Sequence, residues 1–349
     1  MAAAKHQRTP AASRSGGAAP DRVRLALLIA AVSAATASVP ATGQTPGAVA
    51  TNHGSTPDRR VAITIDDLPT VSRTRSDPAF QEAVTVGLLD ALARHGAPAV
   101  GFVNEGKLDR DGAVDGARVD LLRRWLQTGQ ELGNHTYSHP DLHEVTPDSF
   151  IVDLLAGERV TRPLVEASGG TLSWFRHPFL HTGRDSAERA AVHRALGANG
   201  YRVAPVTIDN SDYVFAAAFD GAEAAGDSAL ATRVRTAYLT YMQNVVEYYE
   251  EQSRALFGRE IPQILLIHAN ALNASALDPL LESLRRRGYT FITLAETLAD
   301  PAYDSPDRYF GPGGITWLHR WALTAGKRGA FFAGEPEMPA WVAAAAALR

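Results

Sequence analysis

The chain has no cysteine among its 349 residues, which excludes disulfide bonds, thiolate metal sites and cysteine nucleophiles together. Any metal ion would therefore be bound through histidine and carboxylate side chains. The formal net charge of −4 is small for this length, so nothing indicates a nucleic-acid or anionic-membrane footprint. No glycine-rich phosphate loop follows a predicted strand, and nucleotide cofactors are not indicated. These absences point to a globular protein whose chemistry depends on histidine and carboxylate side chains.

Long hydrophobic runs are also scarce, and the one candidate lies near the start of the chain. Basic residues precede the apolar run at residues 25–37, and small residues that suit a cleavage site follow it. This order is typical of a secretory signal peptide, because the run is too short to span a bilayer comfortably as an anchor. We predict a signal peptide over residues 1–43 and a disordered linker over residues 44–60. The protein is then exported, periplasmic or secreted, with no stable membrane insertion after cleavage.

From residue 61 onward, short apolar runs alternate with longer helical patterns in seven strand-then-helix units. This alternation predicts an α/β fold, an irregular (β/α) barrel of about seven parallel strands with helices outside. An open doubly wound sheet is the alternative. The barrel is favoured because the candidate chemical residues follow the C-terminal ends of at least five strands. The predicted strands are residues 61–65, 98–103, the segment before His135, 172–175, 201–208, 264–268 and 289–294.

The barrel domain is predicted to span residues 61–300, and a C-terminal extension over residues 301–349 is expected to pack on it through its tryptophans, with a partner or substrate surface as the alternative. A long helical region over residues 216–256 carries an aromatic stripe, interpreted as buried against the barrel rather than as a sugar-stacking surface. The other predicted helices are residues 78–95, 120–128, 147–168, 185–199 and 277–287.

Two histidines four residues apart, His135 and His139, follow the third predicted strand, and at this spacing both imidazoles can reach one metal ion. The pair alone is a weak signal, because two ordinary loop histidines give the same pattern. Asp66 and Asp67 follow the first strand, where an Asp pair alone can equally cap a turn. Adjacent side chains there point in different directions, so one carboxylate can bind a metal while the other holds a water or proton. Together these residues form an Asp/His/His set suited to zinc or another divalent first-row ion.

Five segments at predicted strand ends carry ordered motifs: ITIDDLP (63–69), NHTYSHPDL (134–142), WFRHPF (174–179), IDNSDYVF (208–215) and LLIHAN (265–270). In this order they resemble the polysaccharide deacetylase family, the family 4 carbohydrate esterases with homology to the nodulation chitooligosaccharide deacetylase. The resemblance covers about two-thirds of the chain. By likeness to the family's T-F-D-D-G-P motif, Asp66 is the catalytic base and Asp67 a metal ligand. By likeness to N-H-[ST]-x-x-H, His135 and His139 are the other two ligands.

The remaining three motifs imply further roles through the same resemblance. Arg176 is expected to orient the base, and the backbone N–H near Phe179 is expected to help hold the oxyanion. Asp212 would hold and tune the catalytic acid, which would be His268. Leu266 would form a wall of the pocket.

Three positions depart from the family pattern. Leu68 stands where the family usually has Gly, Tyr213 where it usually has Trp, and Phe179 where it often has Tyr. The first changes the floor beside the metal and the other two reshape the sugar-facing walls. These departures bear on substrate choice, since every charged or metal-binding role is filled. Just beyond the third motif, His181 is a further candidate for substrate contact.

The resemblance implies a metal-dependent hydrolase, with zinc as the expected ion and cobalt or another first-row ion as the alternative. It would remove N-acetyl groups from the amino sugars of peptidoglycan, chitin oligomers or an exopolysaccharide, giving acetate and free amine. Hydrolysis of O-acetyl esters or small cyclic amides by the same barrel stays open. So does non-catalytic glycan binding, although a pure binder has no need of a base such as Asp66 and an acid such as His268. The expected partner is a glycan substrate and not nucleic acid, and the sequence leaves the oligomeric state open.

Overall fold

A computed structural model describes residues 59–347 of the chain. These residues belong to one compact unit. The predicted signal peptide and nearly all of the predicted linker lie outside the described residues. Within residues 59–347, no helix is both long enough and apolar enough to cross a membrane.

Seven parallel strands form the central sheet, and they are the seven that the apolar runs predict. They are β1 (Arg60–Leu68), β2 (Ala99–Val103), β3 (Glu131–Asn134), β4 (Trp174–Phe175), β5 (Arg202–Val203), β6 (Gln263–His268) and β7 (Thr290–Phe291). Their order is β5-β4-β3-β2-β1-β6, and β7 pairs with the first two residues of β1. β1 is buried along almost its whole length, as expected for a strand in a parallel sheet covered on both faces.

The two edges of the sheet meet through the chain that follows β5. The amide of Ala204 still bonds to the carbonyl of Phe175 on β4, with N···O 2.8 Å, whereas Ile208 forms a parallel bridge with Leu265 on β6. Residues 204–208 therefore pass from one edge to the other, which is why only two residues of the predicted strand 201–208 are regular. The sheet curls into the predicted irregular barrel instead of remaining open.

The helices surround the sheet, and the first shows how local sequence sets its bounds. The Asp77 carboxylate accepts a hydrogen bond from the amide of Phe80, Pro78 occupies the first turn, and Gly96 ends the helix at a left-handed φ of 55°. The longer helices are α1 (Pro78–His95), α2 (Gly116–Gln127), α3 (Pro147–Ala156), α4 (Thr161–Ala167), α5 (Ser186–Ala198), α6 (Asp212–Ala224), α7 (Ser228–Phe257), α8 (Ala271–Arg286), α9 (Leu294–Thr297), α10 (Trp317–Thr324) and α11 (Ala340–Ala347).

The predicted helix over residues 147–168 is wrong as a single element, because it consists of α3 and α4. α3 ends where Gly157 packs on the loop after β3, so closely that a Cβ there would lie 2.6 Å from the carbonyl carbon of Thr136. α4 begins where the buried Glu105 carboxylate accepts hydrogen bonds from the amides of Val160 and Thr161, at 2.8 and 2.9 Å. A side chain distant in sequence therefore sets this boundary.

The long helical region predicted over residues 216–256 also consists of two helices, α6 and α7. Gly226 adopts a left-handed φ of 70° between them, and the Asp227 carboxylate accepts from the amide of Leu230 to begin α7. The aromatic stripe on α7 is buried, as predicted, and includes Tyr238 and Tyr249. α6 begins earlier than predicted, at Asp212, which brings that residue to the start of a helix.

The segment after residue 300 is tied to the barrel by backbone and aromatic contacts. The amide of Trp317 donates to the carbonyl of Val206, N···O 2.7 Å, and both Trp317 and Trp321 are buried. Helix α11 packs on α6. Trp341 is half-buried, with the guanidinium of Arg233 lying 4.0 Å from its ring centre.

Candidate metal and catalytic site

The sequence-predicted site residues come together at the C-terminal ends of the strands. Asp66 of β1 is in register with His268 of β6, so their side chains project from adjacent strands. His135 directly follows β3, and Arg176 directly follows β4. The parallel sheet brings residues that are 200 positions apart in sequence to one rim, as expected for the mouth of such a barrel.

Asp67, His135 and His139 offer three ligand atoms that all lie within 4.8 Å of one another. The Oδ1 atom of Asp67 is 3.9 Å from Nε2 of His135 and 3.8 Å from Nε2 of His139. Ligands around a tetrahedral zinc ion lie roughly 3.4 Å apart, given metal–ligand distances near 2.1 Å. Burial lowers the pKa of both histidines and therefore favours the neutral imidazoles that bind metals.

The second ring nitrogen of His135, Nδ1, forms a hydrogen bond with the protein backbone. Its Nδ1 lies 2.8 Å from the backbone carbonyl of Arg176, and because a carbonyl only accepts, Nδ1 carries the proton and Nε2 is left with a free lone pair. Lys107 lies on the other side of Asp67, with Nζ 3.4 Å from Oδ1 and 3.0 Å from the backbone oxygen. Burial by itself would raise the pKa of Asp67, but Lys107 and the histidines lower it well below its usual range.

Asp66 occupies a different environment from its neighbour. It is buried, its Oδ1 has no hydrogen-bond partner, and its Oδ2 lies 3.8 Å from Nε2 of His135 and 3.9 Å from Nη1 of Arg176. Burial raises the pKa of Asp66 to about 6, against the opposing charge of Arg176. Arg176 is fully buried, donates from Nη2 to the Thr64 hydroxyl at 2.8 Å and lies over the ring of Phe102. A carboxylate with this pKa can accept a proton near neutral pH.

His268 is held by Asp212, at the start of α6. Nδ1 of His268 lies 2.8 Å from Oδ1 of Asp212, and the amide of His268 donates to Oδ2 at 2.8 Å. Asn273 donates to the same Oδ2 at 2.6 Å. Burial alone would lower the pKa of His268, but Asp212 raises it to about 10, so the imidazolium form is favoured. This pair can supply a proton to a leaving group.

Backbone strain is concentrated at this site. Six non-glycine residues within 59–347 have positive φ, and five of them belong to the site: Asp67, Thr136, His139, Phe179 and Leu180. Each such residue costs about 1–3 kcal/mol and persists only where its surroundings hold it. Strain concentrated in the ligand and rim segments is typical of a site in which geometry is imposed by the fold.

The four predicted substrate contacts differ from one another in exposure and in what surrounds them. Phe179 is 52% exposed beside His139, with ring centres 4.6 Å apart, and Tyr213 is 61% exposed beside His268, at 6.5 Å. Leu266 is buried and in register with Thr64. His181 is partly buried, and its Nδ1 lies 2.7 Å from Oδ1 of Asp141.

Sequence reasoning missed three residues that support this site: Lys107, Thr64 and Asn273. Lys107 lies four residues beyond the C-terminal end of β2, so the strand-end rule that found the other residues was an available signal. Thr64 lies within an apolar run and Asn273 on a helix, and neither carries a pattern that separates it from a structural residue.

The fold and the site define a class of protein, a parallel (β/α) barrel with an Asp/His/His donor set beside a buried carboxylate and an Asp-held histidine. The polysaccharide deacetylase family model matches residues 53–200. Chitin deacetylases of Colletotrichum lindemuthianum and Arthroderma benhamiae are 25% and 24% identical over 242 and 232 residues, covering 69% and 66% of this chain and 79% and 52% of those proteins. The solved structure of the Colletotrichum enzyme, at 24% identity, has a TM-score of 0.47 and covers 70% of this chain and 88% of that one.

The predicted resemblance to the polysaccharide deacetylase family is confirmed by these matches. A peptidoglycan-N-acetylglucosamine deacetylase of Listeria monocytogenes is 22% identical over 240 residues, covering 68% of this chain and 39% of that protein. The chain thus spans about half the length of the Arthroderma relative and less of the Listeria one.

Proposed function

We propose that this protein is a metal-dependent N-deacetylase that releases acetate from N-acetylated amino sugars of a glycan. The observation that carries the proposal is the meeting of three groups at one rim: the Asp67, His135 and His139 donors, the buried Asp66 carboxylate and the Asp212-held His268. A base, an acid and a metal donor set are the parts that amide hydrolysis requires.

The residues present fit a divalent metal ion. Asp67 and two neutral histidines provide oxygen and nitrogen donors, and Nε2 of His135 is left free by the bond from its Nδ1. We propose zinc, with cobalt or another first-row ion able to replace it. When bound, such an ion would lower the pKa of water at the site and polarise the acetamide carbonyl.

Two side chains of the protein then transfer the protons that amide hydrolysis requires. Asp66, with a pKa of about 6, accepts a proton from the attacking water, and the buried guanidinium of Arg176 keeps that carboxylate in place. The backbone N–H of Phe179 helps to hold the oxyanion that forms on the carbonyl oxygen. His268, charged through its bond to Asp212, protonates the departing amine, which is a poor leaving group until it is protonated.

The glycan would extend past two exposed aromatic rings, Phe179 and Tyr213, on either side of the site. A cavity of about 530 Å³ opens beside Tyr213 and is also lined by Asp209, Tyr241 and Glu335. Aromatic faces with adjacent polar groups suit sugar rings, whose two faces are apolar and whose edges carry hydroxyls. We propose His181 and Leu266 as further contacts of the same substrate.

We also propose the domain arrangement and export that the sequence predicts: a signal peptide over 1–43, a linker over 44–60, the deacetylase domain over 61–300 and an extension over 301–349. Export brings the enzyme to polymers outside the cytoplasm. N-terminal sequencing of protein recovered from periplasm and medium tests this, and an intact residue 1 on the recovered protein would contradict it.

The decisive experiment measures acetate released by the purified mature protein from N-acetylglucosamine oligomers, peptidoglycan and acetylated xylan, and ring opening of a small cyclic amide, with and without zinc or cobalt. We expect metal-dependent release from an N-acetylated glycan, abolished in Asp66→Asn. Release from acetylated xylan alone, or opening of the cyclic amide alone, would replace the proposal with ester or cyclic amide hydrolysis. Glycan retention on the metal-loaded protein without release from any substrate would indicate a binding protein.

A further inference from the structure

The turn at Phe179 and Leu180 is strained. Both residues are left-handed, with φ of 55° and 56°, although neither is glycine. Two consecutive non-glycine residues in this region are strained and persist only where their surroundings hold them. Within the turn, the amide of Leu180 donates to the carbonyl of His177 and that of His181 to Pro178, both at 3.1 Å. Two local bonds do not explain why this conformation persists on a rim that is partly open to solvent.

Arg320 of α10 holds the far side of the turn. Its guanidinium donates to the Leu180 carbonyl at 3.1 Å, to the Thr182 hydroxyl and to the Asp307 carboxylate at 2.9 Å. Its side chain is 1% exposed and lies over the ring of Trp317. A planar guanidinium that donates in three directions fixes the orientation of the peptide it contacts, which a flexible ammonium does not do.

Gly314, in the C-terminal segment, packs closely against the same turn. A Cβ added to Gly314 would lie 1.8 Å from the carbonyl oxygen of Phe179 and 2.9 Å from its carbonyl carbon. The backbone at Gly314 therefore touches the peptide of Phe179, and only glycine allows that approach. Gly313 is different, because an added Cβ there would meet no atom nearer than 3.6 Å.

The segment that carries these residues is itself anchored. Arg189 of α5 donates to the backbone carbonyls of Asp307, at 2.8 Å, and Tyr309. Trp317 donates its amide to Val206, at 2.7 Å. Residues 307–320 are thus tied to α5 and to the chain after β5, and they can transmit a fixed position to the turn.

We infer that residues 307–320 are a positioning element for the reaction, in which Arg320 and Gly314 hold the Phe179–Leu180 turn so that the Phe179 N–H faces the oxyanion. The inference rests on the proposed function for the identity of that N–H as a donor. It assigns a task to the C-terminal extension, and Arg320 and Gly314 act through the turn without touching substrate. Loss of one oxyanion donor typically costs about 10²–10³ in kcat, and a misplacement near 1 Å can cost about 10².

The test compares Gly314→Ala with Gly313→Ala in the full chain loaded with zinc. We expect Gly314→Ala to lower kcat about 10- to 100-fold with KM changed less than about twofold. The metal content should equal that of the wild type, and Gly313→Ala should retain wild-type kcat. Equal effects of the two substitutions, or a loss confined to KM, would overturn the inference.

A second pair of variants and a readout independent of activity complete the test. Arg320→Met should lower kcat in the same way, and Arg320→Lys, which keeps the charge and a hydrogen-bond donor but not the planar guanidinium, should restore part of the loss. Amide hydrogen exchange of peptides covering residues 177–183 should accelerate in Gly314→Ala and Arg320→Met, while α1 stays protected. Unchanged exchange at the turn would refute the positioning role. If the wild type releases no acetate at all, the proposed function fails, and the exchange result still decides whether the segment holds the turn.

Discussion

Asp66 and Asp67 are adjacent in sequence yet differ in what surrounds them. Asp66 is enclosed beside Arg176 with an unpartnered Oδ1, whereas Asp67 faces two histidines and Lys107. The left-handed φ of 72° at Asp67 turns its side chain out of the strand alternation and toward the histidines. The pKa of Asp66 is raised and that of Asp67 is lowered, so the two carboxylates are suited to different tasks.

Substituting each carboxylate in turn should separate these tasks. Asp66→Asn should lower kcat about 10²- to 10⁴-fold while zinc content stays at the wild-type value, because an amide cannot accept the proton. Asp67→Asn should instead reduce zinc affinity, because the anionic donor is lost. Acetate release and elemental analysis of dialysed protein measure the two effects. Loss of zinc in Asp66→Asn together with retention in Asp67→Asn would reverse the assignment.

Asp212 should control the alkaline side of the pH profile. An acid must be protonated, so activity falls as pH rises through the pKa of His268, which Asp212 raises to about 10. Asp212→Asn removes the negative charge, lowers that pKa and should move the alkaline loss to lower pH. The acidic loss belongs to Asp66, with a pKa of about 6, and should stay in place. Profiles of kcat/KM against pH check this, and an alkaline limb that does not move would remove His268 from the role of acid.

At the scale of elements, the loop between the two histidine ligands depends on helix α3. The Asp153 carboxylate accepts from the amides of Tyr137 and Ser138, both at 2.9 Å, and from the Ser138 hydroxyl at 2.6 Å. Gly157 at the end of the same helix allows the backbone of Thr136 to pass close by. The spacing of His135 and His139 is therefore set by a helix that follows them in sequence.

Asp153→Ala should weaken zinc binding about 10- to 100-fold, the usual effect of removing a group that orients metal ligands. Asp148→Ala is the matched control, because Asp148 is on the same helix and exposed. Competition with a zinc chelator of known affinity gives both values. A similar affinity in the two variants would mean that the loop holds its shape without α3.

At the scale of the whole molecule, one end of the barrel carries the candidate site and the other carries a cluster of ion pairs. Near the N-terminal ends of β1 and β7, the buried Glu250 carboxylate of α7 receives two hydrogen bonds from Arg287, at 2.7 and 2.8 Å. Arg59 lies 3.1 Å away, and the hydroxyl of Tyr289 donates at 3.1 Å. This cluster joins the first strand, α7 and the approach to the last strand, opposite the end that carries the candidate site. Residues at this end of such a barrel contribute to stability.

Glu250→Gln should lower the free energy of unfolding by about 3 kcal/mol, because Arg287 loses the carboxylate that accepts its two hydrogen bonds and Arg59 keeps only Glu260 as a counter-charge. Glu247→Gln is the control: Glu247 is more exposed and lies 3.8 Å from the same Arg287, so it should change stability by less than about 0.5 kcal/mol. Urea denaturation measures both, and acetate release below the transition should be unchanged. A large loss of activity in folded Glu250→Gln would contradict the separation of the two ends.

Much of the fold could be predicted because parallel strands leave strong local signals. The seven strands and the bounds of α1 follow from apolar runs, the Asp77 cap and Gly96. The divisions at Gly157 and at Gly226 were not predicted, because each depends on a contact or cap that competes with helical periodicity. Glu105 begins α4 from 56 positions away, and no window of local sequence contains that information.

The sequence alone determined the succession of strands along the chain and the absence of thiol chemistry. It also identified the candidate site residues at strand ends, of which Asp66 is the first and His268 the last. Residue type and periodicity are local properties, so a linear reading captures them. The sequence separated the roles of Asp66 and Asp67 only through the family resemblance. The tertiary structure alone decided that Lys107 lies beside Asp67 and that Gly314 and Arg320 reach the Phe179 turn. These outcomes depend on burial, charge and close approach between segments far apart in the chain, and such distances exist only after the barrel has closed.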